Sequence, residues 1–102
     1  MIRHILFWKL TDEVKESGKA EEAAAFVAAS VQTMVGKVDG LITAELGKNE
    51  AGGDYDLIFY SEFRDEKALE AFRDHPLHVA HRKRCSKLVT GKLAGDLLTE
   101  KP

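Results

Sequence analysis

Cysteine occurs once in the 102 residues, proline twice and tryptophan once. A lone Cys85 excludes an internal disulfide framework and, with no second thiol beside it, a thiolate metal cluster, so a reducing compartment is its natural setting. An excess of one charge is also missing. Fifteen Lys and Arg against seventeen Asp and Glu leave a formal net charge of -2, which gives no field to gather nucleic acid or an anionic membrane. The apolar run Ile5 to Trp8 stops at Lys9, too short for a bilayer span or a secretory leader. Repeats, linkers and low-complexity tracts are absent as well. The expectation is a single cytoplasmic domain over residues 1–102, because one core commonly occupies about 100 to 150 residues.

What is present is a regular succession of apolar patterns. Ile2 to Leu10 alternates as a strand, with Ile2, His4, Leu6 and Trp8 on one face and Arg3, Ile5, Phe7 and Lys9 on the other. A helix is predicted from about Ser17 to Val35, where Ala20, Ala23, Ala24, Val27, Val31, Met34 and Val35 recur at three- and four-residue spacings, with Gly36 and Gly40 bracketing its end. Leu41 to Lys48 reads as a second strand with Ile42, Ala44 and Leu46 on one face. Asn49 to Asp54, containing Gly52-Gly53, makes a hairpin connection, and Tyr55 to Phe63 is a third strand. Asp65 suits the cap of a second helix buried through Ala68, Leu69 and Phe72. His75-Pro76 should end that helix, and Pro76 fits the first turn of a shorter one carrying Val79, Cys85 and Leu88. A closing strand is predicted at Leu93 to Leu98. The order βαββαβ implies an α+β, ferredoxin-like fold: an antiparallel four-stranded sheet with its helices on one face.

That architecture leaves one sheet face uncovered, yet the strands carry large apolar residues on both. Ile5 and Phe7 oppose Leu6 and Trp8, and Ile58 and Tyr60 oppose Leu57 and Phe59. A contiguous apolar patch of this kind is rarely left wet. A second copy packed sheet to sheet across a twofold axis would cover it, so a homodimer is expected.

Two of the four histidines fall in His75-Pro76-Leu77-His78. His78 rides on the opening turn of the third helix, where the positive end of the dipole disfavours a protonated ring and leaves an imidazole able to accept or donate. It is read either as a general acid or base, or as a residue that fixes the helix start. His4, among apolar neighbours, is read either as a satisfied core histidine or as a pocket residue. His75 serves the helix break, and His81 is expected to face solvent. A metal site is not expected, since His78 and His81 lack a convincing third ligand. Cys85 reads as a small core residue, and the basic residues around it as a solvated helix end. An apolar pocket able to hold a flat ring is expected around Leu6, Trp8, Tyr55, Leu57, Phe59, Phe72 and His75.

Ile2-Arg3-His4-Ile5, Gly47-Lys48-Asn49, Tyr55-Asp56-Leu57 with Ser61-Glu62-Phe63, the His75-to-His78 block and Asp96 occur in the order found in one family. Through them the chain resembles the stress-responsive α/β-barrel (Dabb) domains of the dimeric α+β barrel superfamily. The resemblance implies two ferredoxin-like protomers joined into a barrel. It also implies a pocket in which His4 and His78 match two histidines of a plant polyketide cyclase. The chain departs from that enzyme at Leu57, in place of a third-strand histidine, and at Phe72, in place of the tyrosine that partners the catalytic histidine. The main reading is therefore a barrel that binds a small apolar or aromatic carbonyl compound. The alternatives are a cyclase or isomerase using His4 and His78 for proton transfer, a cofactor-free monooxygenase of the same superfamily, or a purely structural dimer. No cofactor is expected for any of them.

Overall fold

The computed structural model describes residues 1–100. Strand β1 (Ile2–Leu10) is followed by α1 (Asp12–Glu16), α2 (Ala20–Gln32), β2 (Leu41–Lys48), β3 (Leu57–Phe63), α3 (Glu66–Asp74), α4 (Pro76–Cys85) and β4 (Val89–Leu98). The strands form one antiparallel sheet in the order β2-β3-β1-β4. This is the ferredoxin-like arrangement that the order of apolar patterns implied.

Local chemistry sets most boundaries. Thr11 caps α1 by accepting from the Val14 N–H, and Asp65 caps α3 by accepting from the Ala68 N–H at 2.9 Å. His75 ends α3 in an extended conformation, as a residue before proline should. Its Nδ1 then accepts from the Leu77 N–H at 3.0 Å, capping α4, where Pro76 occupies the first turn.

Several details differ from the periodic reading. A short α1 not expected from the pattern comes first, Gly18 turns the chain after it at φ +74, and the helix expected from Ser17 to Val35 is α2, shorter at both ends. Met34 belongs to the following turn, where it is nonetheless fully buried. In β2 a bulge between Leu41 and Thr43 inserts an extra residue, so Leu41 is buried and Ile42, expected inside, is 54% exposed. Strand β3 starts at Leu57 rather than Tyr55. The two preceding residues tie the hairpin: Asn49 Nδ2 donates to the Tyr55 carbonyl, and Asp56 accepts from the Leu10 N–H at 2.8 Å and from Lys15. Strand β4 starts earlier than expected, at Val89. Its two glycines are tolerated because a bulge opposite Phe7 to Lys9 takes up the irregularity and Gly91 sits at φ +65.

The helices cover one sheet face and two core clusters lie beneath them. The larger joins Val31, Met34, Phe59, Phe63, Leu69 and Phe72. The smaller joins Leu10, Val14, Ala23, Ala24 and Leu57 under α1 and the start of α2. Register places Ile5, Phe7, Ile58, Tyr60, Leu93 and Leu97 on the uncovered face, and there Leu93 and Leu97 are 51% and 54% exposed.

Candidate functional site

Beneath α4, where the helical layer passes over β1 and β4, lies a cavity of about 520 Å³, within the roughly 300–1,000 Å³ typical of ligand sites. Its floor is apolar, formed by Leu6, Trp8, Leu46, Phe59 and Ala94 of the sheet, and Leu69 of α3 adds to the apolar lining. His4, His78 and His81 line it together with Phe72 and Cys85, and Arg73, Asp74, Arg82 and Lys92 stand among the polar wall residues. A second, more open groove over α1 and α2 contains no histidine.

Strand alternation turns His4 inward with Leu6 and Trp8, and register sets it opposite Ser61 on β3 and Asp96 on β4. The ring is nearly buried, edge-on to Phe59 and Phe63 with centroids 6.2 Å away in each case. Its Nδ1 is hydrogen-bonded to the Asp96 carboxylate. A carboxylate only accepts, so Nδ1 carries the hydrogen and Nε2 is the atom left for other contacts.

His78 is held differently. Its ring stacks on Phe72 with centroids 4.1 Å apart, and its Nδ1 lies 3.1 Å from the Arg73 carbonyl. A carbonyl can only accept, so His78 too bears its hydrogen on Nδ1 and offers Nε2 as an acceptor. Burial pushes its pKa below the ordinary 6.5. The Arg73 carbonyl favours the charged ring, whereas Arg82, His4 and Lys92 oppose it, and the net shift is downward.

His81 stacks nearly parallel to His78, with centroids 6.2 Å apart, as positions three apart on a helix allow. It is half-buried rather than solvent-facing, a correction with a physical cause: α4 packs on α2 through this side, and Ser30 Oγ of α2 lies 2.8 Å from His81 Nδ1. Burial, then the nearby His78 and Arg84, lower its pKa to about 4. Among the described residues Arg3 Nε is the only fully buried side-chain nitrogen or oxygen without a partner. Among the described residues the Nε2 atoms of His4, His78 and His81 have no protein partner, and all three residues line the cavity.

The other expected pocket residues divide. Leu6, Trp8, Phe59 and Phe72 line the cavity. Tyr55 does not: its ring lies 5.9 Å from Phe7 and beneath Lys9, residues of the opposite sheet face. Leu57 is fully buried in the smaller core cluster, and the His75 ring is engaged in capping α4. Residues outside the expected set also enter, among them His81 and Asp96. The three-residue spacing from His78 was the available signal for His81, and the position of Asp96 across from His4 on a paired strand was the signal for the other. Among the described residues no three His, Cys, Asp or Glu side chains converge so as to hold a metal ion.

Comparison with known proteins bears on the fold and the family. Nothing among curated proteins matches the chain. A dimeric protein with a ferredoxin-like fold from Bacteroides fragilis superposes with a TM-score of 0.79 at 23% identity, covering 94% of this chain and 93% of that one. A protein from Arabidopsis thaliana gives 0.71 at 22% identity, with 100% and 98% covered. A Dabb family protein with a ferredoxin-like fold from Mesorhizobium loti gives 0.64 at 24% identity, with 98% and 97% covered. The family model of the stress responsive A/B barrel domain matches residues 2–97, and the chain belongs to that family.

Proposed function

We propose that the protein binds a small apolar or aromatic carbonyl compound in the cavity between α4 and the sheet, and that it does so as a homodimer. The observation that carries the binding reading is that three histidines, each with an unpartnered Nε2, line one largely apolar cavity of ligand size. A cavity built only for packing would close around apolar side chains and would not keep polar atoms open to water. The apolar floor favours a flat hydrocarbon or aromatic body, and the imidazoles supply the few polar contacts that orient it.

The dimer rests on the uncovered sheet face. Leu93 and Leu97 there are half-exposed beside Ile5, Phe7 and Ile58, and the similar Bacteroides fragilis protein is described as dimeric. Light scattering at micromolar protein should give twice the mass of the chain, and Leu97→Lys should lower it. A monomer in the wild type would remove this part of the reading.

A second reading, proton transfer, is favoured by the fixed tautomer of His78. A neutral ring whose Nδ1 donates to the Arg73 carbonyl presents Nε2 as a base poised to take a proton from a carbon next to a carbonyl. Phe72 offers no hydroxyl to relay that proton, so His78 would act alone or with His4. Binding is tested by titrating aromatic aldehydes and ketones while following amide chemical shifts. Shifts at Leu6, Trp8, Phe59 and Leu69 are expected, and silence at these positions to millimolar ligand would reject the reading. If a bound compound is turned over, His78→Ala should abolish turnover and leave measurable binding.

A further inference from the structure

With its Nδ1 hydrogen engaged by the Arg73 carbonyl, neutral His78 presents a ring acceptor to the cavity. A carbonyl oxygen needs a donor. We propose that His81 is that donor: Ser30, itself held by Arg84, fixes His81 as the Nε2–H tautomer, and this N–H binds the carbonyl oxygen of the ligand. The inference rests on the carbonyl-binding reading above and names the residue that makes it specific.

The argument runs through one hydroxyl. Ser30 is 5% exposed, and its Oγ receives the Arg84 Nε–H at 3.1 Å. Arg84 also donates to Thr33 Oγ1 at 3.2 Å, so its guanidinium is anchored on α2 at two points. A guanidinium has no acceptor to offer. The Ser30 hydroxyl hydrogen is assigned to His81 Nδ1 at 2.8 Å, a stronger acceptor than the Cys85 sulfur that the same hydroxyl meets. The Cys85 sulfur lies 3.9 Å from the same nitrogen. Burial raises the pKa of this thiol above its ordinary value, which keeps its S–H as a second, weak donor. Both neighbours of Nδ1 thus donate, and a neutral imidazole with Nδ1 accepting must carry its hydrogen on Nε2. His81 lines the cavity beside the stacked ring of His78, and its Nε2 has no partner among the described residues. Ser30 and Arg84 are positioning residues, and His81 is the one that touches ligand.

The test uses the full chain labelled with nitrogen-15 and two probes of nearly equal shape, acetophenone and α-methylstyrene, in which a CH2 group replaces the carbonyl oxygen. Long-range proton–nitrogen spectra of the free protein should report the Nε2–H tautomer for His81 and Nδ1–H for His78. Acetophenone should shift the His81 Nε2 signal, whereas α-methylstyrene should shift only apolar wall residues. Ser30→Ala should scramble the His81 tautomer and weaken acetophenone about five- to tenfold, the value of one oriented hydrogen bond, without weakening α-methylstyrene. Ser30→Thr, which keeps the hydroxyl, should restore both signature and affinity. An Nδ1–H tautomer in the wild type would overturn the proposal without any variant having to fold. Equal response to both probes would overturn it too while leaving the binding cavity intact. Failure of both probes to bind would remove the carbonyl-binding reading and the role of His81 together.

Discussion

Acidification should weaken the fold through His81. Burial, His78 and Arg84 bring its pKa from the ordinary 6.5 down to about 4 in the folded chain. Well above pH 6.5 the ring is neutral in folded and unfolded chains alike, and its contribution to stability is fully present. As the pH falls from 6.5 towards 4 the unfolded chain takes up a proton that the folded chain refuses, so stability declines. At ~1.36 kcal/mol per pH unit the interval amounts to at most ~3.4 kcal/mol, and water reaching the ring from the cavity reduces this to ~2–3 kcal/mol. Against a total stability of ~5–15 kcal/mol for a domain, such a loss is large. His78, also lowered, adds a loss of the same sign. The assay is urea unfolding from about pH 7.5 to about pH 4.5 for the wild type and His81→Gln, with the difference between the two curves as the readout. Carboxylates titrate in both proteins and cancel in that difference. The wild-type curve should fall more steeply, by at least ~1.5 kcal/mol at the acid end. Parallel curves would refute the claim that folding buries a neutral imidazole on α4.

Three further outcomes follow from other parts of the structure. Gly40 sits at φ +82, and a Cβ there would lie 2.4 Å from the Ala68 Cβ, whereas Gly36 at φ +81 has nothing within 4 Å. Gly36→Ala should therefore cost only the left-handed conformation, ~1–2 kcal/mol, and Gly40→Ala ~2–5 kcal/mol once overpacking is added; equal costs by urea unfolding would dismiss the clash. Burial works against the charge on Asp56, but Lys15 and the Leu10 N–H outweigh it and the pKa lies below 3.8. That stabilisation is present above pH 3.8 and lost as the pH falls through the folded value, and Asp56→Ala should cost ~1–3 kcal/mol at neutral pH, read as a lower urea midpoint. Phe72, 2% exposed in the larger core cluster and stacked on His78, should cost ~3–5 kcal/mol as Phe72→Ala. The same change should move the ring proton resonances of His78, and unmoved resonances would count against the stack.

What could be read along the chain was whatever local geometry decides. Period-two alternation put His4, Leu6 and Trp8 on one face of β1, and the ring constraint of Pro76 forced the α3–α4 break. With the family resemblance these gave the βαββαβ order and named His4 and His78, which do line one cavity. Contacts between distant segments decided the rest. Asp96 reaches His4 across 92 positions, and Ser30 reaches His81 across 51, so no window of sequence contains either pair. α4 has little amphipathic contrast between its faces, so only its packing on α2 settled that His81 turns inward and not to solvent. The β2 bulge sent Ile42 outward, and the late start of β3 left Tyr55 beside Phe7 on the far side of the sheet. A one-residue change of register reverses a strand's faces, and register is fixed by the whole sheet. The sequence by itself determined which strands and main helices form and in what order; the tertiary structure decided which side chains share the cavity and which tautomers their neighbours impose.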